Sequence, residues 1–397
     1  MRKLFRVYAS QGEQLGAELS LPATDYELLD LMERLRLEPG QSPHLEILEY
    51  RKDEYIFDYL SGHLPDSPNL FQLNALAHRL AELDAHGIAV FEGFVGMDIQ
   101  KGKTAIPLPR LIDYAYSGDC CHVVEETATD AELGRFLAEN SFVPEAEDLS
   151  DEAFELLDFA QIGKGHRKSD NGVFTAWGYV EQFMEPHPVS ETMDFILRKP
   201  EYLFRVGIIH HPDAEPEHPG KVVYLNLPAA KDSFEAAEAQ LGAPGWLGIM
   251  IDSFDGPVPQ VQDMVHSTED LMELNFLAER LAALDPQEIT AYKALLETTN
   301  CQDLVNAGFL AGQLDKYIFC PEYSSPTDVA KGQLRLILGE PEAELLLPHL
   351  DLNGYGEELL RHFGSALTPY GLLEKKDNAP ILSEQDQPKP GGMEMMQ

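Results

Sequence analysis

Apolar positions along the chain fall into two matched series. Leu73, Leu76, Ala77, Leu80 and Leu83 stand at i, i+3, i+4, i+7 and i+10, the spacing of one apolar helix face. Leu274, Leu277, Ala278, Leu281 and Leu284 repeat that stripe. The surrounding sequences are QLNALAHRLAELD at 72–84 and ELNFLAERLAALD at 273–285, an offset of 201 residues. Asn69, after Pro68, offers an N-cap to the first of these helices, and Ser267 with Asp270 offers a capping box to the second. Further short helices are expected at about 87–99, 108–116, 287–296 and 301–311. Short apolar runs, FRVYAS at 5–10 and FRVGII at 204–209, read as opening strands. HLEILEYR at 44–51 and WLGIMIDSF at 246–254 read as later strands of the same small antiparallel sheets, with a helix at about 24–37.

Other matches fall in the same order. Leu4-Phe5-Arg6-Val7 returns as Leu203-Phe204-Arg205-Val206, and LSLPAT at 19–24 as LNLPAA at 225–230. Pro144-Glu145-Ala146-Glu147 returns as Pro341-Glu342-Ala343-Glu344, and GVFTAWGYV at 172–180 faces SALTPYGLL at 365–373. A period near 200 is too long for a solenoid repeat of about 20–50 residues. It indicates a whole unit, duplicated and fused. The expected fold class is α+β, an elongated multi-domain chain of two tandem repeats, 1–183 and 201–375. Each repeat is read as a small antiparallel sheet domain (1–66, 201–265), a helical domain (67–118, 266–312) and a mixed α/β domain (119–183, 313–375). The last carries a terminal strand pair around Phe174 and Tyr179 in the first copy. Residues 184–200 read as a linker, and 376–397 as a disordered tail.

Charge changes the picture most. The chain has 68 acidic and 29 basic residues, a net of −39. Residues 1–200 hold 36 acids and 17 bases and the remainder 32 and 12, so the halves carry −19 and −20. The acidity thus belongs to the repeated unit and is not an appended tail. It argues against nucleic acid or an anionic membrane as a direct partner, since both are held by Lys and Arg. It leaves a basic partner, or plain solubility. No run of 18 apolar residues exists, so no membrane span is expected. The N-terminus lacks the apolar stretch of a signal peptide, and four cysteines, two of them adjacent, make a poor disulfide framework. A reduced, cytoplasmic setting fits.

The strongest local signal is the segment 125–158. It holds Glu125, Glu126, Asp130, Glu132, Glu139, Glu145, Glu147, Asp148, Asp151, Glu152, Glu155 and Asp158 against a single base, Arg135. Asp148, Asp151, Glu152, Glu155 and Asp158 have helical spacing and are expected to form one acidic stripe, with Phe154 and Leu157 facing inward. Neighbours along such a stripe rise by ~4.5–6 Å, close to the spacing of phosphates on a DNA strand. The bland alternative is a solvated helix face. Since B-DNA carries one charge per ~1.7 Å, a net of −39 matches roughly 66 Å of duplex, about 20 base pairs.

Catalytic motifs are weak. Gly102-Lys103-Thr104 resembles the end of a phosphate-binding loop, but the required first glycine would be residue 97, which is Met97. His210, His211 and His218 lie among Asp213, Glu215 and Glu217, in a proline-rich loop better suited to adventitious than to dedicated metal binding. Cys120-Cys121-His122 shows no oriented third partner for a nucleophile and is read as core or interface. No enzyme, metal or cofactor is expected.

The order of elements resembles that of ArdA-type antirestriction proteins, which mobile genetic elements carry against host restriction. The resemblance rests on the opening strand, the helices with Leu73-Asn74 and Leu274-Asn275, GRFLAENSFVPE at 134–145, FELLDFAQIGKG at 154–165 and the final GVFTAWGYV. It covers most of 1–183 and is weaker in 201–375, where GQLRLILGEPEAE and LDLNGYGEELL take the corresponding places. The resemblance implies an elongated three-domain subunit, typically dimeric, that mimics bent duplex DNA. Its carboxylates would occupy the basic DNA-binding channel of a host defence enzyme, most often a type I restriction–modification system. Here one chain could act as a monomeric pseudo-dimer, or form a homodimer. The partner-binding face would comprise the twelve acids above together with Glu342 and Glu344. A scaffold or interaction protein, or an inhibitor of a CRISPR or other DNA-dependent nuclease, is the alternative.

Overall fold

The computed structural model describes the chain apart from residues 1, 13–14, 39, 51–59, 61, 148, 211–220, 243–245, 247, 378 and 382–397, and for Tyr50 and Asp170 it describes the backbone alone. Among the described residues the protein is a mixed α+β structure of fifteen α-helices and four antiparallel sheets of three strands each. The first half runs β1 (Phe5–Gln11), β2 (Leu15–Leu21), α1 (Asp25–Arg34), β3 (His44–Tyr50), α2 (Leu70–Glu82), α3 (Ala85–Gln100) and α4 (Leu108–Ala115). It closes with β4 (Cys121–Glu125), α5 (Asp130–Glu139), α6 (Asp151–Phe154), α7 (Phe159–Asp170), β5 (Val173–Thr175) and β6 (Gly178–Gln182). The second half runs β7 (Phe204–His210), β8 (Val223–Leu227), α8 (Lys231–Leu241), β9 (Ile249–Asp255), α9 (Pro259–Gln262), α10 (Leu271–Leu281), α11 (Pro286–Thr299) and α12 (Leu304–Ala311). It ends with β10 (Tyr317–Cys320), α13 (Pro326–Leu338), α14 (Glu340–Leu346), α15 (Leu352–Phe363), β11 (Ala366–Thr368) and β12 (Gly371–Lys375). Strand orders are β2-β1-β3 and β4-β6-β5 in the first half, β8-β7-β9 and β10-β12-β11 in the second.

Local chemistry places these elements. Asn69 caps α2 through the amides of Phe71 and Gln72, and Ser267 and Asp270 form a capping box before α10. Leu73, Leu76, Ala77 and Leu80 are buried, as are Leu274, Leu277, Ala278 and Leu281. Asn74 accepts from the Ala23 amide (2.6 Å) and donates to the Ala23 carbonyl (3.0 Å). Asn275 does the same with Ala229, at 2.7 and 3.3 Å. In each half the helix bearing the apolar stripe thereby grips the turn that follows the second strand of the opening sheet.

Packing divides the chain into two compact units. The first comprises residues 1–10, 18–23 and 39–197, and the second residues 11–17, 24–38 and 198–397. Helix α1, expected within the first sheet segment, therefore belongs to the second unit. Its ties there are polar. The Lys293 ammonium, 5% exposed, donates to Asp30 (2.8 Å) and Glu33 (2.5 Å). Tyr370 donates to Asp30 at 3.0 Å, and Thr290 bonds Glu33. Tyr26 donates to the Tyr202 carbonyl, and Thr24 to Asp255 at 2.6 Å. Burial would lower the Lys293 pKa, but the two carboxylates outweigh it and hold it above its ordinary value.

Three expectations change. The third strand of the second half begins at Ile249, after the positive-φ Gly248, not at 246. Residues expected as a linker are held to the first unit: the His187 amide donates to Ser117 Oγ (2.9 Å) and the Ser190 amide to Asp113 (2.8 Å). The expected tail is in part packed, since the Lys376 amide donates to the Lys316 carbonyl (3.0 Å) and Ile381 joins the second unit's core. Residues 382–397 lie outside the described chain.

Helices α5 and α7 cross at glycines. A Cβ at Gly134 would stand 1.8 Å from the Phe159 carbonyl oxygen, and one at Gly163 1.9 Å from that of Asp130. In α15 a Cβ at Gly356 would stand 1.9 Å from the Pro326 oxygen. Gly163→Ala should cost about 3 kcal/mol, the upper end for overpacking, because the obstructing atom is backbone. A urea midpoint equal to wild type would contradict this. For the buried ion cluster, Lys293→Met alone should destabilise by about 3–5 kcal/mol, whereas Lys293→Met with Asp30→Leu should recover most of the loss. Equilibrium denaturation of the two variants checks it.

Candidate functional site

The acidic segment folds around β4-β6-β5, with α5 and α7 packed against it through Leu133, Leu137 and Tyr179. The single acidic helix expected across 148–158 does not form. Ser150 accepts from the Ala153 amide and starts α6, which ends after one turn. Asp158 then accepts from the Gln161 amide at 3.0 Å and starts α7. Two cap residues eight positions apart thus break the stripe into separate turns. Asp148 lies outside the described residues. Phe154 and Leu157 are half-buried, while Leu156 is 86% exposed.

The remaining eleven acids of the segment are Glu125, Glu126, Asp130, Glu132, Glu139, Glu145, Glu147, Asp151, Glu152, Glu155 and Asp158. All but Asp130 are exposed. Three have cationic partners. Arg135 binds Glu155 through both guanidinium nitrogens (2.9 and 2.7 Å) and Glu139 at 3.5 Å. Arg167 binds Asp130 at 2.8 and 3.0 Å. Glu132 accepts from the Ala128 amide and from Thr129, which holds its carboxyl below the usual range. Hydrogen bonds from Arg167 and Arg135 do the same for Asp130 and Glu155. Eight of the eleven make no ion pair among the described residues. Bases gather instead on α7, at Lys164, Arg167 and Lys168.

Glu145 and Glu147 flank buried Ala146 on a short 3-10 turn, and Glu342 and Glu344 flank buried Ala343 on α14. Around the second pair the surface differs. Leu336, Ile337 and Leu345 are 81, 60 and 74% exposed, and Glu344 is paired with Arg335 at 2.6 Å. Glu344 is thus neutralised, and large apolar side chains are exposed on the same two helices. Sequence reasoning also passed over Phe142 and Leu156, exposed apolar side chains among the carboxylates. For Leu156 the signal was the apolar run FELLDF at 154–159, with more large residues than a one-sided helix can bury.

Among the described residues the phosphate-loop candidate does not assemble into a site. Gly102 follows the C-terminus of α3, the wrong end of a helix for a phosphate, and Lys103 donates to buried Asp98 at 2.9 Å. His211 and His218 lie outside the described residues. No helix among the described residues is long and apolar enough to cross a membrane. No protein-family model matches the chain, and no curated protein matches it.

The folded-state pKa values of Asp130 and Glu155 lie below the ordinary carboxylate range, so their stabilising contribution is complete at neutral pH. It is lost as pH falls below about 4 and through those depressed values. Amide exchange in α5 and α7 should accelerate over that window. Arg167→Met should show the faster exchange already at neutral pH, and an unchanged profile would mean that the pairing does not hold the two helices together.

Proposed function

We propose that the chain is a fused pair of one ancestral unit and acts as a non-enzymatic acidic decoy for a DNA-binding protein. The observation that carries this is the cluster of eight exposed carboxylates in 125–158 without ionic partners among the described residues. Unneutralised carboxylates repel one another, and a basic groove that accepts phosphates relieves that repulsion. Phe142 and Leu156, exposed among them, favour a protein partner over mere solvation, because interfaces bury apolar anchors inside a polar rim. The sequence resemblance to ArdA-type antirestriction proteins points the same way. It names the DNA channel of a type I restriction–modification enzyme, encountered in the cytoplasm, as the first target to test. An elongated arrangement of the repeats would suit that role.

The fusion is supported by matched element order, matched strand orders and the paired Asn74–Ala23 and Asn275–Ala229 contacts. The halves have since diverged. Lys293 stands eight residues after its helix N-cap, Asp285, and Glu92 holds that place after Asp84. A second reading, an interaction or scaffold protein, is favoured by the exposed Leu336, Ile337 and Leu345.

The decoy should compete with duplex DNA for a type I restriction enzyme, and inhibition should weaken as salt rises, since exposed charges are screened over ~8–10 Å near physiological ionic strength. Converting Glu125, Glu126, Glu145, Glu147, Asp151, Glu152 and Asp158 to their amides should leave folding intact and weaken inhibition at least tenfold. Salt-insensitive inhibition, or full inhibition by the folded amide variant, would remove the decoy reading. Partner capture lost on Leu336→Ser with Leu345→Ser, with inhibition absent throughout, would establish the scaffold.

A further inference from the structure

Asp119, Cys120 and His187 bring three donor atoms of metal-ligating type within 4.8 Å of one another. Cys120 Sγ lies 3.6 Å from His187 Nε2 and 3.7 Å from Asp119 Oδ1, and His187 Nε2 lies 2.9 Å from that same oxygen. The two side chains meet the histidine at one nitrogen. In a nucleophile–histidine–carboxylate triad the carboxylate and the nucleophile bind opposite ring nitrogens. Convergence on Nε2 is instead the arrangement of ligands around a common centre.

The spacing fits that centre. Zinc–sulfur, zinc–nitrogen and zinc–oxygen bonds of about 2.3, 2.0 and 2.1 Å at tetrahedral angles give ligand separations of about 3.6 Å for S–N and S–O and about 3.4 Å for N–O. The two sulfur edges match, and the carboxylate needs to swing by about half an ångström. The set is also charge-balanced, since one thiolate, one carboxylate and a neutral imidazole cancel a divalent cation. Supports are built in. The Ser117 hydroxyl holds the His187 amide at 2.9 Å, and Ser117 itself is fully buried. Cys120 is buried, while the Asp119 side chain is 70% exposed and leaves a route for the ion and a fourth position for water.

Among its described residues the second unit shows no matching cluster. There the Lys376 amide bonds the carbonyl of Lys316, as the Phe183 amide bonds that of Cys120, so a lysine takes the chain position of the cysteine.

We propose that Asp119, Cys120 and His187 form a mononuclear zinc-type site that clips the segment after β6 to the end of α4. Binding replaces the thiol S–H bond by a sulfur–metal bond and releases that proton to solvent. The histidine is not the adjacent His122, which is exposed and stacks on Phe183 at 4.3 Å.

The test uses the full-length chain, stripped with chelator and titrated with Co²⁺ and Zn²⁺. One equivalent of Co²⁺ should produce a thiolate-to-cobalt charge-transfer band, and Zn²⁺ should abolish it. Cys120→Ser should remove the band, and His187→Gln and Asp119→Asn should weaken binding by about a hundredfold or more, beyond the loss expected of an outer-shell change. His122→Ala should change nothing, and neither should His211→Ala with His218→Ala. Absence of the sulfur band in the wild-type chain overturns the proposal without recourse to any variant. So does a band that survives Cys120→Ser or disappears with His211 and His218.

Discussion

A lysine ammonium with 5% exposure imposes the main constraint on this molecule. Left alone, a charge so placed would be strongly destabilising. Asp30 and Glu33 on α1 supply the compensation, with Tyr370 donating to the same Asp30 oxygen as the ammonium and Thr290 to the other oxygen of Glu33. The consequence is topological. A helix encoded near the N-terminus becomes part of the unit built from residues 198 onward. The corresponding helix α8 has Ala236 and Ala239 where α1 has Asp30 and Glu33, counting from the caps Thr24 and Ala230.

Charge is distributed less simply than a net of −39 suggests. Part of the acidity is structural: carboxylates cap helices at Asp158 and Glu132 or bind Arg135 and Arg167. Within 125–158 the carboxylates free of such duties are exposed, while α13 and α14 of the second unit expose leucines and an isoleucine along with further carboxylates. The two segments thus expose different chemistry, carboxylates with little neutralisation in 125–158 and large apolar side chains on α13 and α14.

Local signals were legible in the sequence and distant ones were not. The stripes at 73–83 and 274–284, their caps and the terminal hairpins depend on neighbours a few residues away, and they occur where spacing placed them. The acidic stripe failed because periodicity ignored the capping ability of Ser150 and Asp158. Arg135 finds Glu155 twenty residues on and Arg167 finds Asp130 thirty-seven residues back, distances over which no pattern operates. The Cys120 neighbourhood is a sharper case: adjacency suggested His122, whereas β4-β6 pairing and the turn after it deliver His187.

The partnership of α1 with Lys293 also sets a timetable. Asp30 and Lys293 are 263 residues apart. At synthesis rates of about 5–20 residues per second, the helix leaves the ribosome roughly 13–50 s before its counter-ion has been made. During that interval Asp30 and Glu33 must remain hydrated, and the apolar face of α1 waits beside them. Closing so long a loop carries an entropic cost that local helices do not bear. Closure of this ion cluster therefore waits for α11, and a translation product truncated before it would display α1 as an unclaimed amphipathic segment.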